Sequence, residues 1–127
     1  MENIEVREVF LDSSFIISCV RKRIDFISQL EEQGFKIILP REVLQEMKDL
    51  RKRNGTSHAD RLAINAALEL IEKRKVKKVA FGDDKVDNYL IKKGREGFYI
   101  ATLDAGIKNK VPKKIVIFDS KNMVGVE

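Results

Sequence analysis

A chain of 127 residues with 43% apolar residues is the size of one ordinary domain, spanning residues 1–127, and buries a core without disulfides or a structural metal. Its single cysteine, Cys19, lies in an apolar run, which excludes a disulfide framework or a thiolate zinc cage within one chain and suits a reducing, cytoplasmic setting. Twenty-five Lys and Arg against 20 Asp and Glu give a formal charge of +5, a balance that favours polyanionic partners. The N-terminus lacks a basic stretch followed by a long apolar one, and no segment is long enough to cross a bilayer, so the expectation is a soluble, unprocessed chain with no membrane partner.

Short apolar runs alternate with stretches of helical periodicity, the pattern of a mainly parallel sheet covered by helices, and the expected fold is an α/β sandwich. Val9, Phe10 and Leu11 centre a first strand that stops at Asp12, with Ser13 or Ser14 placed to cap the following helix. A helix through Phe26, Ile27 and Leu30 ends at Gly34, and residues 35–39 make a second strand closed by Pro40. The next helix sets Val43, Leu44, Met47 and Leu50 on its apolar face and dissolves into Arg51, Lys52, Arg53, Asn54 and Gly55. Residues 58–75 repeat the helical spacing with Leu62, Ala63, Ala66, Ala67, Leu70 and Ile71. A strand over 76–81 leads to Asp83 or Asp84 as the cap of a helix bearing Val86, Tyr89, Leu90 and Ile91, which ends near Gly94. A fourth strand covers 98–102, Asp104 opens a short helix through Ile107, residues 115–118 form a late strand, and 123–126 make a short, paired tail.

In an open α/β sheet, ligands gather at the C-terminal strand ends, where Asp12 and Asp104 both fall. Glu46 belongs to the helix after the second strand, on a face expected to turn inward, and Asp87 sits similarly between Val86 and Leu90. Converging carboxylates repel one another unless neutralised, and hard divalent cations neutralise them. Bound magnesium or manganese turns water into a nucleophile and clamps phosphate oxygens, which is phosphodiester hydrolysis. The chain has no Walker-type loop, no dinucleotide-binding glycine turn and no nucleophile elbow, and its single histidine, His58, excludes a zinc site built mainly on imidazole. Blander roles compete for each acid. Asp12 and Asp104 are placed as helix N-caps, Asp87 as a solvent-facing helix residue, Thr102 as an ordinary strand residue, Asp119 as a turn residue and Glu42 as a first-turn acid that favours the helix dipole.

The segments Val9-Phe10-Leu11-Asp12-Ser13-Ser14, Leu39-Pro40-Arg41-Glu42-Val43-Leu44-Gln45-Glu46-Met47, Val86-Asp87-Asn88-Tyr89-Leu90-Ile91 and Ile100-Ala101-Thr102-Leu103-Asp104 resemble, in order, the four successive motifs of PIN domains. The resemblance implies a three-layer α/β/α sandwich and an Mg2+- or Mn2+-dependent endoribonuclease. Asp12, Glu46, Asp87 and Asp104 match the metal-binding acids of the family, and Thr102 matches the hydroxyl beside the last. Relatives often have Asn where Leu103 stands and a further polar residue where Ala105 and Gly106 follow, so the second metal position has fewer oxygens here. Small single-domain members are toxins of the VapC type, paired with an antitoxin, or nucleases that process ribosomal RNA, and they often form homodimers. Arg51, Lys52, Arg53 and Arg61 are the expected grip on RNA phosphates, with Lys108, Lys110, Lys113 and Lys114 as a second patch. The alternative is a PIN-like module that no longer cuts and serves to bind RNA or protein. A haloacid dehalogenase-type phosphohydrolase needs a second Asp two residues after the first, and Ser14 occupies that place.

Overall fold

The computed structural model describes residues 7–82 and 84–127. In chain order the elements are β1 (Arg7–Leu11), α1 (Ser13–Arg21), α2 (Phe26–Glu32), β2 (Phe35–Pro40), α3 (Arg41–Lys52), α4 (His58–Lys73), β3 (Lys77–Val79), α5 (Val86–Arg95), β4 (Tyr99–Ala101), α6 (Ala105–Lys108), β5 (Lys114–Phe118) and β6 (Met123–Val126). The strands form one six-stranded sheet in the order β3-β2-β1-β4-β5-β6. All neighbours are parallel except β5 and β6, which form an antiparallel hairpin through a 3-10 turn at Asp119–Lys121. The architecture is the expected α/β one, a mostly parallel sheet flanked by helices.

Alternation along the central strands explains the layering. Val9 and Leu11 of β1 and Phe35, Ile37 and Leu39 of β2 face one side, where they join Phe15, Ile16, Phe26, Leu30, Met47, Ile64 and Ile71 from α1 to α4 in one apolar cluster. Phe10, Ile38 and Ile100 face the other side and meet Leu90 of α5, Ile107 of α6 and Val111. A strand buried on both faces reads as an unbroken apolar run, which is why Val9, Phe10 and Leu11 announce the sheet centre. Gly94 lets α5 lie close to the sheet: a Cβ there would stand 2.3 Å from Val111 Cγ1 and 3.2 Å from Ile100 Cγ1.

Three local expectations need correction. Asp12, and not Ser13 or Ser14, caps α1, accepting from the Ser13 amide. The α5 N-cap is Lys85 with no side-chain cap bond, so Asp84 does not serve there, and Asp83 lies outside the described residues. β3 is shorter than residues 76–81 because, as an edge strand, it pairs with β2 alone and only at Lys77, Lys78 and Val79.

Within the β5–β6 hairpin, β5 pairs with the short β4 only at Lys114 and Ile115. The hairpin's outer edge is met by α2, whose Gln29 Oε1 accepts from the Val124 amide at 2.8 Å while Gln33 Nε2 donates to the Val124 carbonyl at 2.9 Å. An open edge is thereby satisfied internally at Val124.

Candidate active site at the β1/β4 crevice

The chain builds β2 and β3 to one side of β1 and then crosses to place β4 on the other, so the connections diverge between β1 and β4. Such a switch point leaves a crevice at the C-terminal strand ends. Asp12 follows β1 there, its amide donating to the Ala101 carbonyl at 2.9 Å. Its side chain is held on both oxygens. Oδ1 accepts from the Ser13 amide at 2.9 Å, and Oδ2 accepts from Thr102 Oγ1 at 2.6 Å and from Ser14 Oγ at 3.4 Å. Thr102 in turn accepts from the Asp104 amide at 3.1 Å, and Ser14 Oγ accepts from the Leu103 amide at 3.1 Å. The two strand ends are thus stitched together around one carboxylate.

Asp12 and Thr102 are the buried polar residues among those described, with Asp12 6% exposed. Burial pushes the Asp12 carboxyl above the ordinary carboxylate range; the bonds from Thr102, Ser13 and Ser14 oppose the shift, and the Asp87 charge adds to it. Glu46 is also raised, first by partial burial of its carboxyl, then by the charges of Asp12, Asp87 and Asp49, with the Ser13 side chain partly offsetting them. Asp12, Glu46 and Asp87 therefore lie within electrostatic reach of one another. Glu46 itself is exposed, correcting the expectation that it turns inward: α3 buries Val43 and Met47 through their own stripe, and Glu46 sits at the margin of that stripe. Asp87 is exposed in the first turn of α5. Asp104 caps α6, its Oδ1 accepting from the Gly106 amide at 2.7 Å and the Ile107 amide at 3.3 Å.

Two residues gain significance only in three dimensions. Glu42, four residues before Glu46 on the same helix face, accepts from the Phe81 amide through Oε2 at 3.3 Å, while its Oε1 is buried with no hydrogen-bond partner. Together with Glu46, Asp49, Asp84 and Asp87 it lines an open cleft of about 470 Å³ between α3 and the start of α5. Ser14 links Asp12 to β4, a role its position two residues after the acid hints at only once the β1/β4 pairing is known.

The donor set consists of oxygens, which suits Mg2+ or Mn2+, and repulsion among the acids is what a divalent cation would relieve. Among the described residues, no group of three or more His, Cys, Asp or Glu side chains is gathered closely enough to hold a metal ion. The donor chemistry fits; the assembled coordination sphere is not preformed.

The four basic residues expected to grip RNA lie around the α3–α4 connection. Arg51 donates to Asn65 Oδ1 at 3.0 Å and Arg61 to the Arg53 carbonyl at 3.2 Å, both bracing the α3–α4 connection, while Lys52 and Arg53 are exposed. Asp119 starts the 3-10 turn and pairs with Lys22. Cys19 is fully buried and its thiol is pushed up to about 12, chiefly by burial. No described helix is long and apolar enough to cross a membrane.

No family model matches this chain, and no curated protein matches it. A solved structure with a similar fold is a domain of a functionally unknown protein from Methanocaldococcus jannaschii, at 20% identity and a TM-score of 0.49, covering 81% of this chain and 82% of that one.

Proposed function

We propose that this chain is a metal-dependent endoribonuclease that hydrolyses RNA phosphodiester bonds at the β1/β4 crevice. The observation that carries the reading is Asp12: a carboxylate buried at the switch point, tied to Thr102 and Ser14 and in electrostatic contact with Glu46 and Asp87. Burying a charge is costly unless it is compensated, and such a cost persists where a bound cation repays it. Asp12, Glu46 and Asp87 are the residues that would hold Mg2+ or Mn2+, with the phosphate oxygens of RNA completing the ligand set. When bound, such an ion supplies a nucleophilic water and neutralises charge on the phosphate. Thr102 fixes the Asp12 carboxylate in one orientation, and the Asp104 amide donates to the same hydroxyl. The same chemistry serves a toxin held by an antitoxin and a nuclease that matures ribosomal RNA.

A second reading, an RNA- or protein-binding module without cleavage, is favoured by one feature: Asp104 Oδ1 is committed to capping α6, and the acids are not gathered into a metal cage. Incubating a mixed single-stranded RNA with purified protein and Mn2+ separates the two. Cutting that vanishes with EDTA and in Asp12→Asn supports the nuclease; RNA retained uncut supports the binding module.

A further inference from the structure

On α5, Asn88, Ile91, Lys92 and Arg95 fall at helical spacing on one stripe that begins beside Asp87. With Glu96, and with Lys110 from the segment after α6, this stripe lines a cleft of about 430 Å³. The acids Asp87 and Asp104 stand at the N-terminal ends of α5 and α6, so the cleft leads away from the candidate site. From Asp87 to Arg95 the helix rises about 12 Å, enough for more than one phosphate.

The charge of this cleft is unspent. Glu96 is engaged by Lys93 at 3.5 Å, and Lys92, Arg95 and Lys110 have no carboxylate partner among the described residues. The cleft beside α1, lined in part by Ser14, Arg21 and Lys22, is different: Arg21 is paired with Asp60 and Lys22 with Asp119. Cations in a last helical turn ordinarily balance the helix dipole, which accounts for Lys92 and Arg95. It does not account for Lys110, which the turn after α6 brings to the same cleft.

We propose that the single-stranded RNA flanking the scissile phosphate lies in the α5–α6 cleft, its phosphates on Lys92, Arg95 and Lys110 and a base against Ile91. The inference rests on the reading that RNA reaches the Asp12 site. A single strand suits this groove, because its unstacked bases can turn toward an apolar side chain while its backbone tracks the cations.

The test is fluorescence anisotropy of a short single-stranded RNA across a salt series, with EDTA present so that no cutting intervenes. Wild type is compared with the folded triple variant Lys92→Gln/Arg95→Gln/Lys110→Gln and with Arg51→Gln/Lys52→Gln/Arg53→Gln, which removes the same charge elsewhere. The α5–α6 variant is expected to lose about tenfold in affinity or more, and its salt slope should fall by about 2, three phosphate contacts at ~0.7 each. An unchanged affinity and slope, an equal loss in the Arg51 variant, or no RNA binding by wild type overturns the proposal. Cleavage is assayed separately: cutting that ignores the cleft variant leaves the nuclease reading standing and removes this one, and binding through the cleft without cutting does the reverse.

Discussion

Thr102→Val removes one hydroxyl from a side chain that is 1% exposed and nearly preserves its shape. The Asp12 carboxylate loses its 2.6 Å donor and the Asp104 amide loses its acceptor. A hydrogen bond to a charged group contributes about 1.5–3 kcal/mol, so a loss of ~2–3 kcal/mol is expected at neutral pH. For a domain of this size that corresponds to roughly 8–12 °C in Tm. The pH dependence identifies the cause. Thr102 favours the ionised carboxylate and lowers the Asp12 pKa, so the variant raises it, and the deficit is largest where Asp12 is ionised. It should narrow as pH falls through the folded value of Asp12, which lies above the ordinary 3.8. Thermal melts of both proteins in EDTA from pH ~8 to ~4.5 read this directly. A deficit below ~0.5 kcal/mol, or one constant across that range, would refute the argument that Thr102 stabilises a buried charge.

Asp12→Asn should gain stability relative to wild type as pH rises. The raised folded pKa of Asp12 means that its favourable contribution is fully present below 3.8 and is lost as pH climbs through the folded value, whereas Asn does not titrate. In the same melts, added Mn2+ should raise the wild-type Tm and leave Asp12→Asn where it was; an equal rise in both proteins counts against ligation by Asp12. Gly94→Ala, ordinarily favourable in a helix, should cost about 1–3 kcal/mol in a urea titration because the new methyl meets Val111 at 2.3 Å; an unchanged midpoint would mean that α5 shifts freely. Cys19, fully buried with its thiol near 12, should react with a thiol reagent only as the protein unfolds, and rapid native labelling would contradict its place in the core.

Much of the fold was legible because local signals and tertiary placement agree. Val9-Phe10-Leu11 and Ile37-Ile38-Leu39 are continuous apolar runs because both strands are covered on two faces, and Pro40 ends β2 where α3 begins. What escaped depends on neighbours distant in sequence. That Asp12 rather than a serine caps α1 follows from Ser14 being drawn to Leu103 and Asp12 across the β1/β4 junction. The α5 cap falls on Lys85 and not on Asp84 because an acid just before a helix gives the sequence pattern of a cap whether or not its side chain reaches the first amides. Positions Asp12 and Asp104 at strand ends could be read from pattern alone, but the exposure of Glu46 could not: a carboxylate at the edge of an apolar stripe gives the same periodicity whether it leans in or out. The unpartnered oxygen of Glu42 has no sequence signature, since first-turn acids are ordinarily solvated.

Hydrolysis at the proposed metal-dependent site around Asp12 leaves its mark in the chemistry of the product ends. RNA cut in heavy-oxygen water with Mn2+ should yield phosphate ends that carry the label and no 2′,3′-cyclic phosphate, with no product from Asp12→Asn; unlabelled cyclic phosphate ends, or equal cutting by Asp12→Asn, would contradict it.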